Sequence, residues 1–453
     1  MQKIRFSRIK RTAFRRGLLA LLLSPCGMMA QQAPKAGMEQ PVLTLKDAVN
    51  IALKNSLGIQ IAKNNIEIAN VYNSYGIAGG LPVVTASGSE QEQSTSLKQE
   101  YSNPANNKSS NNAASNNLSA SVNASMLLYN GERVVTAKKR LTAVEAQSRQ
   151  LLNSRALVII YNVMVKYYDI LRQQGYAKTL ESSIAVSKQK LDIVKAQRSI
   201  GVANDADLFQ SQVDLNTQIQ NLQAQQLVVD QGKTDMLTLL TLNPDSSLVI
   251  LDTIIVDKGL KLDAVLSGIQ TNPDIKVADE QIRINGFLEK ETAALRYPSL
   301  GANAGFNFSR TKNAAGFSLL NQNYGPYASL SVTIPIFNGF IYRKEQEVAH
   351  INTQNAALQK DTLSFGYSAN AVKNWQAYNN NLQQLETAKE NYDLSGKLLN
   401  LVVQKFQLKQ ATIVDVKNAQ QSFEAAGFLL INLSFAAKAA EIQLKRYSNQ
   451  LTY

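Results

Sequence analysis

The sequence predicts a mainly α-helical protein that also carries two internal pairs of β-strands of the kind that cross membranes. The first observation is the stretch from Glu132 to Ser199, which contains no proline and one glycine and has apolar residues at helical spacing. One unbroken helix over this stretch would extend roughly 100 Å. Helices in globular domains average about 11–12 residues, so this is not an ordinary core element. Two or three shorter helices are the alternative.

The second observation is an internal duplication. Four short motifs recur in the same order, and the separation between the copies is nearly constant along the chain. The pairs are Leu43–Val49 with Gly259–Val265, Leu81–Pro82 with Tyr297–Pro298, Tyr129–Gly131 with Phe337–Gly339, and Gly201–Gln212 with Lys409–Gln420. We therefore expect two copies of one unit, each ordered helix, two strands, very long helix, tip and helix.

This duplication divides the chain into five predicted parts. Pro244 would end the helix before it, and the segment ILDTIIV at 250–256 could form a short strand between the copies. The predicted parts are a signal peptide (1–30), an N-terminal linker (31–42), a first repeat (43–243), an inter-repeat linker (244–259) and a second repeat (260–453).

The segment 1–30 has the composition of a secretory signal peptide. It contains seven Lys or Arg side chains and no acidic one, followed by a short apolar run from Gly17 to Leu23. Ala30 is a plausible cleavage point, although Met28 is larger than the residue expected two positions before it. The apolar run is too short to cross a bilayer as a helix. We therefore read the segment as a signal peptide and expect the protein to be exported.

The only cysteine, Cys26, lies inside this predicted leader. Acylation of Cys26 would make the protein a lipoprotein, but Pro25 stands where such signals carry a small residue. Cleavage after Ala30 would leave a mature chain with neither disulfides nor thiol chemistry.

The charge balance gives no reason to expect a nucleic-acid partner. The formal net charge is +13, but seven of these charges lie in the predicted leader, which leaves +6 for the mature chain. No RNA- or DNA-binding motif appears in the sequence.

The predicted strands alternate apolar and polar residues, which places the two sets on opposite faces of a sheet. The clearest segments are 118–126, 300–309 and 328–336, and a weaker strand starts at Val83. A loop rich in Asn, Ser and Ala is expected at Tyr101–Asn117. Lengths of about 9–11 residues and polar faces of Ser, Asn, Gly and Thr favour strands that cross a bilayer around a water-filled lumen. A half-buried sheet in a soluble domain is the alternative.

Four strands cannot close a membrane barrel, because the smallest barrels have about eight. An open edge in lipid would leave backbone N–H and C=O groups unpaired, at several kcal/mol each. If these strands lie in a membrane, several chains must therefore pool them.

The other helices are predicted to build a two-layered wall with the long ones. Helices are expected at Leu45–Ile77 and Ala206–Leu242, and their combined length matches that of the first long helix. A second long helix is expected at Tyr342–Leu408. Its Trp375 and Tyr378 belong to a stripe at coiled-coil spacing, and we assign this stripe to core packing.

With these features in place, the chain resembles the TolC family of outer-membrane efflux ducts over essentially its whole mature length. The matching features are the duplicated order, the turn Phe337–Gly339 after the last strand and the tip sequence Thr412–Val416. The resemblance implies a TolC-like homotrimer, a duct whose pooled 12-stranded outer-membrane β-barrel continues into a long α-helical, coiled-coil barrel across the periplasm. It also implies surrounding outer-membrane lipid, and substrates delivered by an inner-membrane transporter through a periplasmic adaptor protein.

The resemblance further suggests residues of a periplasmic gate at the tips between long and short helices. Asp415 would be one of the acidic residues around the closed entrance, with Asp207 equivalent in the first copy. The family's frequent second acidic position is Asn418 here. A tyrosine and an arginine that latch adjacent coils in the family correspond to Phe406 and Ala411, so that latch cannot form in the same way. The alternative is that both aspartates merely cap the helices that follow.

The same tips are the expected contacts for the adaptor protein. In this interpretation the first tip contributes Gly201, Val202 and Ala203, and the second contributes Lys409, Gln410 and Ala411.

The sequence gives no indication of enzymatic chemistry. The single histidine, His350, has no acidic or nucleophilic cluster near it in sequence. Zinc motifs, a P-loop, a serine elbow and a dinucleotide-binding glycine pattern are all missing. We therefore predict a passive outer-membrane channel with no enzymatic activity, no cofactor and no metal site. The alternative is a trimeric structural stalk or adhesin with a barrel anchor.

Overall fold

Two helices of 67 residues each dominate the fold in the computed structural model, which describes residues 42–451. The predicted signal peptide, Cys26 and nearly all of the N-terminal linker lie outside the described residues. The helices are α1 (Leu45–Asn55), α2 (Leu57–Tyr72), α3 (Arg133–Ser199), α4 (Asp205–Leu239), α5 (Leu262–Gly268), α6 (Pro273–Ala294), α7 (Ile341–Gln407) and α8 (Ile413–Tyr447). The strands are β1 (Val83–Gln99), β2 (Lys108–Tyr129), β3 (Ser299–Asn313) and β4 (Leu320–Thr333).

The long helices are single and continuous, as the absence of proline and the apolar spacing predicted. Helices α3 and α4 have 67 and 35 residues, and α7 and α8 repeat these lengths in the second copy. The backbone at their ends repeats too. Glu132 and Phe340 precede the long helices with φ near +65°, and Thr241 and Asn449 follow the short ones with φ near +55°. These are left-handed conformations that non-glycine residues seldom adopt.

The first predicted helix, Leu45–Ile77, is wrong as a single element. It is broken at Ser56, whose hydroxyl accepts a 3.4 Å hydrogen bond from the N–H of Ile59 and so caps α2. Gly58 follows in the first turn, and α2 ends at Tyr72. A serine side chain that competes for backbone groups explains the break inside an otherwise helical pattern.

The segment 250–256 forms no strand, so that prediction is also wrong. Next to this segment, Val249 forms an isolated parallel β-bridge with Val42. The segment instead lies along α3, where Ile250 is buried and its carbonyl accepts a 3.2 Å hydrogen bond from Gln174 Nε2.

The four strands form one antiparallel sheet in the order β1-β2-β3-β4. They have 17, 22, 15 and 14 residues, longer than the sequence predicted. The expected loop Tyr101–Asn117 is wrong over most of its length, because β2 already begins at Lys108. Ser, Asn and Ala give a weak strand signal, but the backbone ladder to β1 and β3 holds this stretch extended. Tertiary pairing thus overrides local composition.

Helix α3 lies in the middle of the helical wall. In the half nearer the strands it packs against α2 and α6, and α6 packs against α7. In the far half it packs against α4 and α8, and α8 packs against α7. Helix α7 is therefore one flank of the wall along its whole length, and α2 and α4 form the other.

The predicted aromatic stripe of α7 is core, as expected. Tyr378 is buried with Val265, Ile269 and Ile275, and Trp375 packs against the same cluster. Helix α8 is the one described helix long and apolar enough to cross a membrane by length and composition. Its packing against α3 on one side and α7 on the other accounts for this apolar character.

The close approach of α8 to its neighbours generates a stability prediction. A Cβ at Gly427 would lie 2.9 Å from Thr179 Cγ2 and 3.2 Å from Tyr392 Cε2. We expect Gly427→Ala to destabilise the protein by about 1–3 kcal/mol through overpacking, although alanine is the better helix former. Gly286, on α6, has nothing within 4 Å of its Cβ position and is the matched control. Gly286→Ala should raise stability by up to about 1 kcal/mol. Melting temperatures of the purified variants test this, and shifts in the same direction would contradict the packing account.

Candidate functional site: the helix tips

Both tips close through the same backbone motif. After α3, Gly201 adopts φ +76°, and the N–H of Val202 donates a 2.8 Å bond back to the carbonyl of Gln197. After α7, Lys409 adopts φ +63°, and the N–H of Gln410 donates a 2.8 Å bond to the carbonyl of Lys405. These are left-handed helix ends of the Schellman type. Glycine is the usual residue there, so Lys409 makes the second tip the more strained of the two.

Both predicted gate aspartates lie in the first turn of a helix and take part in capping it. The Asn204 side chain accepts a 2.8 Å bond from the N–H of Asp207, whose carboxylate accepts a 3.4 Å bond from the N–H of Asn204. The N–H and hydroxyl of Thr412 each donate a 2.8 Å bond to Asp415 Oδ2, and the N–H of Asp415 donates to the hydroxyl. Each arrangement is a capping box at a helix N-terminus.

Capping leaves part of each carboxylate available. The capping bonds use Oδ2 of both aspartates, and Oδ1 makes no hydrogen bond to any residue between 42 and 451. The backbone N–H and then the hydroxyl of Thr412 hold the pKa of Asp415 below its usual value. Asp415 is exposed, so the second tip presents a carboxylate that stays ionised at neutral and mildly acidic pH.

The other two predicted gate residues differ sharply in their surroundings. Asn418 is exposed on α8. Phe406 is 6% exposed and lies in a cluster that we call the tip core: Val194, Leu399, Val403, Phe406, Val416 and Ala419. Phe406 follows Leu399 and Val403 at spacings of seven and three, a coiled-coil core pattern visible in the sequence. In this structure its ring holds helices together instead of facing solvent.

The predicted adaptor contacts are mostly at the surface. Gly201, Val202, Lys409 and Gln410 are exposed, whereas Ala203 and Ala411 are half-buried. The structure adds two residues that the sequence analysis missed, because Ile200 is 71% exposed and Leu408 is 68% exposed. They occupy corresponding positions in the two tips. The sequence does carry a signal for these two residues, because a large apolar residue stands at the first position of each tip.

Polar contacts tie the α3–α4 coil to the α7–α8 coil near the tips. Lys190 Nζ, on α3, lies 2.6 Å from Asp214 Oδ2 on α4, and Lys417 Nζ, on α8, lies 3.4 Å from Asp214 Oδ1. Gln197 Nε2 donates a 3.3 Å bond to the carbonyl of Phe406. The partners in the two contacts between the coils, Lys417 with Asp214 and Gln197 with Phe406, lie more than 200 residues apart in sequence, so no local pattern reveals them.

The Lys190–Asp214 pair is largely enclosed. Lys190 is 1% exposed, and Asp214 keeps only a small part of its side chain in contact with solvent. Burial alone raises the pKa of Asp214, but hydrogen bonds from Lys190 and Gln210 outweigh it and hold the pKa below its usual value. A buried pair of this kind adds little net stability while intact, but loss of one partner leaves an uncompensated buried charge.

A second polar contact between the coils lies farther from the tips, between α3 and α8. Buried Gln420 donates a 2.9 Å bond to Ser187 Oγ and also donates to Ser183 Oγ, and the Ser183 hydroxyl in turn donates to Glu424. Hydrogen bonds satisfy each buried group, as an apolar surrounding requires.

The structure offers no cluster suited to catalysis at the tips. Across residues 42–451, no group of three or more His, Cys, Asp or Glu side chains could hold a metal ion. His350 lies far from the tips and pairs with Glu289 across α6 and α7, with Nδ1 3.0 Å from Oε1.

Comparisons with known proteins agree on one architecture. Residues 268–450 match the family described as outer membrane efflux protein. Among solved structures, CusC aligns over 89% of this chain and 91% of its own, with a TM-score of 0.73 and 17% identity. VceC of Vibrio cholerae covers 89% and 95%, with a TM-score of 0.71 and 16% identity. The CmeC outer membrane channel of Campylobacter jejuni covers 90% and 85%, with a TM-score of 0.70 and 16% identity.

No curated protein matches the chain in sequence. At these identities the solved structures show the fold alone, and that fold is the predicted one, with four strands per chain and long helix pairs as in TolC-like channels. The match to the efflux family over residues 268–450 indicates what the protein does and where it lies. It is an efflux channel of the outer membrane that extends into the periplasm. Residues 268–450 therefore match the outer membrane efflux protein family, whose members are transport channels and not enzymes, and the whole chain has the fold of TolC-like channels.

Proposed function

We propose that this chain is the passive outer-membrane exit duct of a tripartite efflux or type I secretion system. Channels of its family form trimers within tripartite efflux systems. In our proposal three copies of this chain assemble, and an inner-membrane transporter delivers substrates through a periplasmic adaptor protein. The transporter supplies the energy, because the duct has no chemistry of its own.

The observation that carries this proposal is the pair of open sheet edges. Strands β1 and β4 are each paired on one side only. Their free N–H and C=O groups cannot remain unpaired in lipid, where each would cost several kcal/mol. Pairing β4 of one copy with β1 of the next closes a barrel of twelve strands from three chains and satisfies both edges.

The flanks of the helical wall support the same assembly in the half nearer the strands. Helix α2 exposes Leu57, Ile61, Ile68 and Tyr72 at spacings of four, seven and four. On the opposite flank, α7 exposes Ile341, Val348, Ile351, Leu358 and Phe365 at spacings of seven, three, seven and seven. Both stripes have the periodicity of coiled-coil interfaces, so the α7 flank of one copy can pack against the α2 flank of the next.

The far half of the wall carries matching stripes. Helix α4 exposes Phe209, Val213 and Leu227, and α7 exposes Leu394, Leu398 and Leu401, with Leu408 just beyond its end. Apolar surface of this extent on both flanks favours burial between copies over exposure to the periplasm. The internal duplication then gives a near-sixfold wall, because 43–243 and 260–453 act as two repeats joined by the linker 244–259.

The gate in this proposal is formed by the second tip. Three symmetry-related copies of Asp415, with Oδ1 free of capping bonds, make a negative ring that attracts cations and repels anions. Asn418 and Asp207 lie on the neighbouring turns and flank this ring. Phe406 keeps the tip packed in the closed state, in place of the tyrosine latch of the family. Opening requires the α7–α8 coil to slide against the α3–α4 coil, which breaks the contacts of Asp214.

The adaptor contact in this proposal combines the two tips. It consists of Gly201, Val202 and Ala203 with Lys409, Gln410 and Ala411, and the exposed Ile200 and Leu408 supply apolar surface at its centre. Apolar residues surrounded by polar ones are the usual composition of a protein–protein interface.

A charge placed in the α2 stripe tests assembly and transport together. We expect Ile61→Glu to reduce the trimer fraction, because each copy would lose about 1.5–3 kcal/mol of apolar burial and would bury a carboxylate. Lys63→Glu, at an exposed position two residues farther along α2 and so on the opposite side of the helix, is the control and should leave the trimer intact. The measurements are native electrophoresis of detergent extracts and the sensitivity of a complemented deletion strain to a panel of antimicrobial compounds and metal ions. Equal trimer fractions for both variants would contradict this flank as the interface.

Neutralising the ring tests the gate. Asp415→Asn should weaken block by multivalent cations severalfold in single-channel recordings, because three negative charges leave the entrance. Asp245→Asn, at an exposed position in the inter-repeat linker, should leave block unchanged. The lowered pKa of Asp415 predicts that block of the wild-type channel persists as pH falls from neutral to mildly acidic values. Block should fade only below the usual aspartate pKa of about 3.9. Unchanged block in Asp415→Asn would leave this residue with capping alone.

Removing the buried charge tests the closed state. Asp214→Asn leaves Lys190 buried without a counter-ion, a loss that costs roughly 3–5 kcal/mol for fully buried pairs and destabilises the closed packing. We expect a higher conductance or open probability in planar bilayers. Asp192→Asn removes an aspartate from an exposed pair with Lys195 on α3 and should have almost no effect. Equal conductance for the two variants would contradict a role for Asp214 in closure.

A further inference from the structure

Two cationic side chains follow directly on the apolar face of β3. Alternation places Phe306 and Phe308 on one face and Asn307 and Ser309 on the other. Arg310 and Lys312 continue the phenylalanine face. That face pairs with Val122 and Ala120 on β2 and with Pro326 and Tyr324 on β4. An apolar face opposite a Ser- and Asn-rich one is the lipid side of a membrane strand.

The direction of β3 gives the depth of the two cations. The strand begins at Ser299, shortly after α6, and ends at the hairpin to β4. Because the helices lie in the periplasm, the hairpin end faces the cell exterior. Arg310 and Lys312 are therefore at the boundary between the apolar band and the outer surface, beyond Phe308.

These cations are not neutralised within the chain. Neither Arg310 nor Lys312 forms an ion pair with any described residue, and Arg310 Nε is enclosed without a hydrogen-bond partner. Two carboxylates share the face, Glu90 and Glu92 on β1, but they lie two strands away, about 10 Å at the usual strand spacing. Both instead accept bonds from Asn116 Nδ2, at 3.0 and 3.5 Å.

The surroundings fit the phosphate of an amphiphile. A guanidinium recognises phosphate through two parallel hydrogen bonds, and an ammonium adds a point charge. Gln322, opposite Arg310 on β4, shares the same face and supplies a neutral donor. Below the cations, Phe306, Phe308 and Tyr324 offer a surface for acyl chains. A free phosphate would use the charges but not this apolar surface.

We propose that Arg310 and Lys312 bind the phosphate groups of a phosphorylated glycolipid in the outer leaflet of the outer membrane. This inference rests on the proposed barrel, which sets the face and the depth of β3. Each trimer then has three equivalent lipid sites on its outer wall. The bound lipid anchors the hairpin end of the barrel at a fixed height in the membrane.

Native mass spectrometry of the full-length trimer in detergent tests the site. The probes are bisphosphorylated lipid A, the same lipid with its phosphates removed, and inorganic phosphate. We expect up to three lipid A molecules per trimer, and about tenfold or more weaker binding in the double variant Arg310→Gln, Lys312→Gln, the change expected from losing charge-assisted hydrogen bonds. Lys108→Gln removes a cation at the same end of the barrel that pairs with Gln99 on the lumen side, and should bind like wild type.

The spectrum separates the possible failures. A trimer that retains lipid A equally in the double variant overturns the site. Equal retention of the dephosphorylated lipid assigns binding to the acyl chains and also overturns it. Displacement by inorganic phosphate at millimolar concentration identifies an ion site and not a lipid site. A spectrum that shows only single chains, and no trimer, contradicts the proposed assembly.

Discussion

The need to pair every backbone N–H and C=O group in lipid governs this structure. One chain supplies four strands whose outer edges, β1 and β4, have no partner, and a sheet of this kind is stable in a membrane only when closed. Closure therefore has to come from other copies. The helical wall obeys the same geometry, because α7 on one flank and α2 and α4 on the other expose apolar stripes along their length. Sheet and wall require the same neighbours.

Much of the framework could be predicted from the sequence, because its signals are long and repeated. A run of 67 residues without proline leaves few alternatives to a continuous helix, and the recurrence of both long and short helices in the second copy reinforces each assignment. Short-range competition was less predictable. Ser56 interrupts a helical pattern by capping its own successor, and Lys108–Asn117 extends as strand despite a loop-like composition. In both places a hydrogen bond decides the backbone conformation against the preference of the residue type. At Ser56 it is the bond from the N–H of Ile59, and in β2 it is the ladder to the neighbouring strands.

The tips were predictable in position but not in their internal contacts. Turn and cap residues are local, so the sequence identified Gly201, Lys409 and Asp415, and the structure gives both aspartates the capping role that was the alternative to gating. The tip core around Phe406 and the contact of Lys417 with Asp214 join segments far apart in the chain. Such contacts depend on how α3, α4, α7 and α8 come together, and no single segment encodes that arrangement.

The proposed closing of the tips, the proposed negative ring and the proposed lipid site all depend on assembly into a trimer. The most direct test is the molar mass of the detergent-extracted wild-type protein, measured by size-exclusion chromatography with light scattering and corrected for bound detergent. The account predicts a species of three chains that conducts ions when reconstituted. A stable single-chain species that conducts equally well would contradict it.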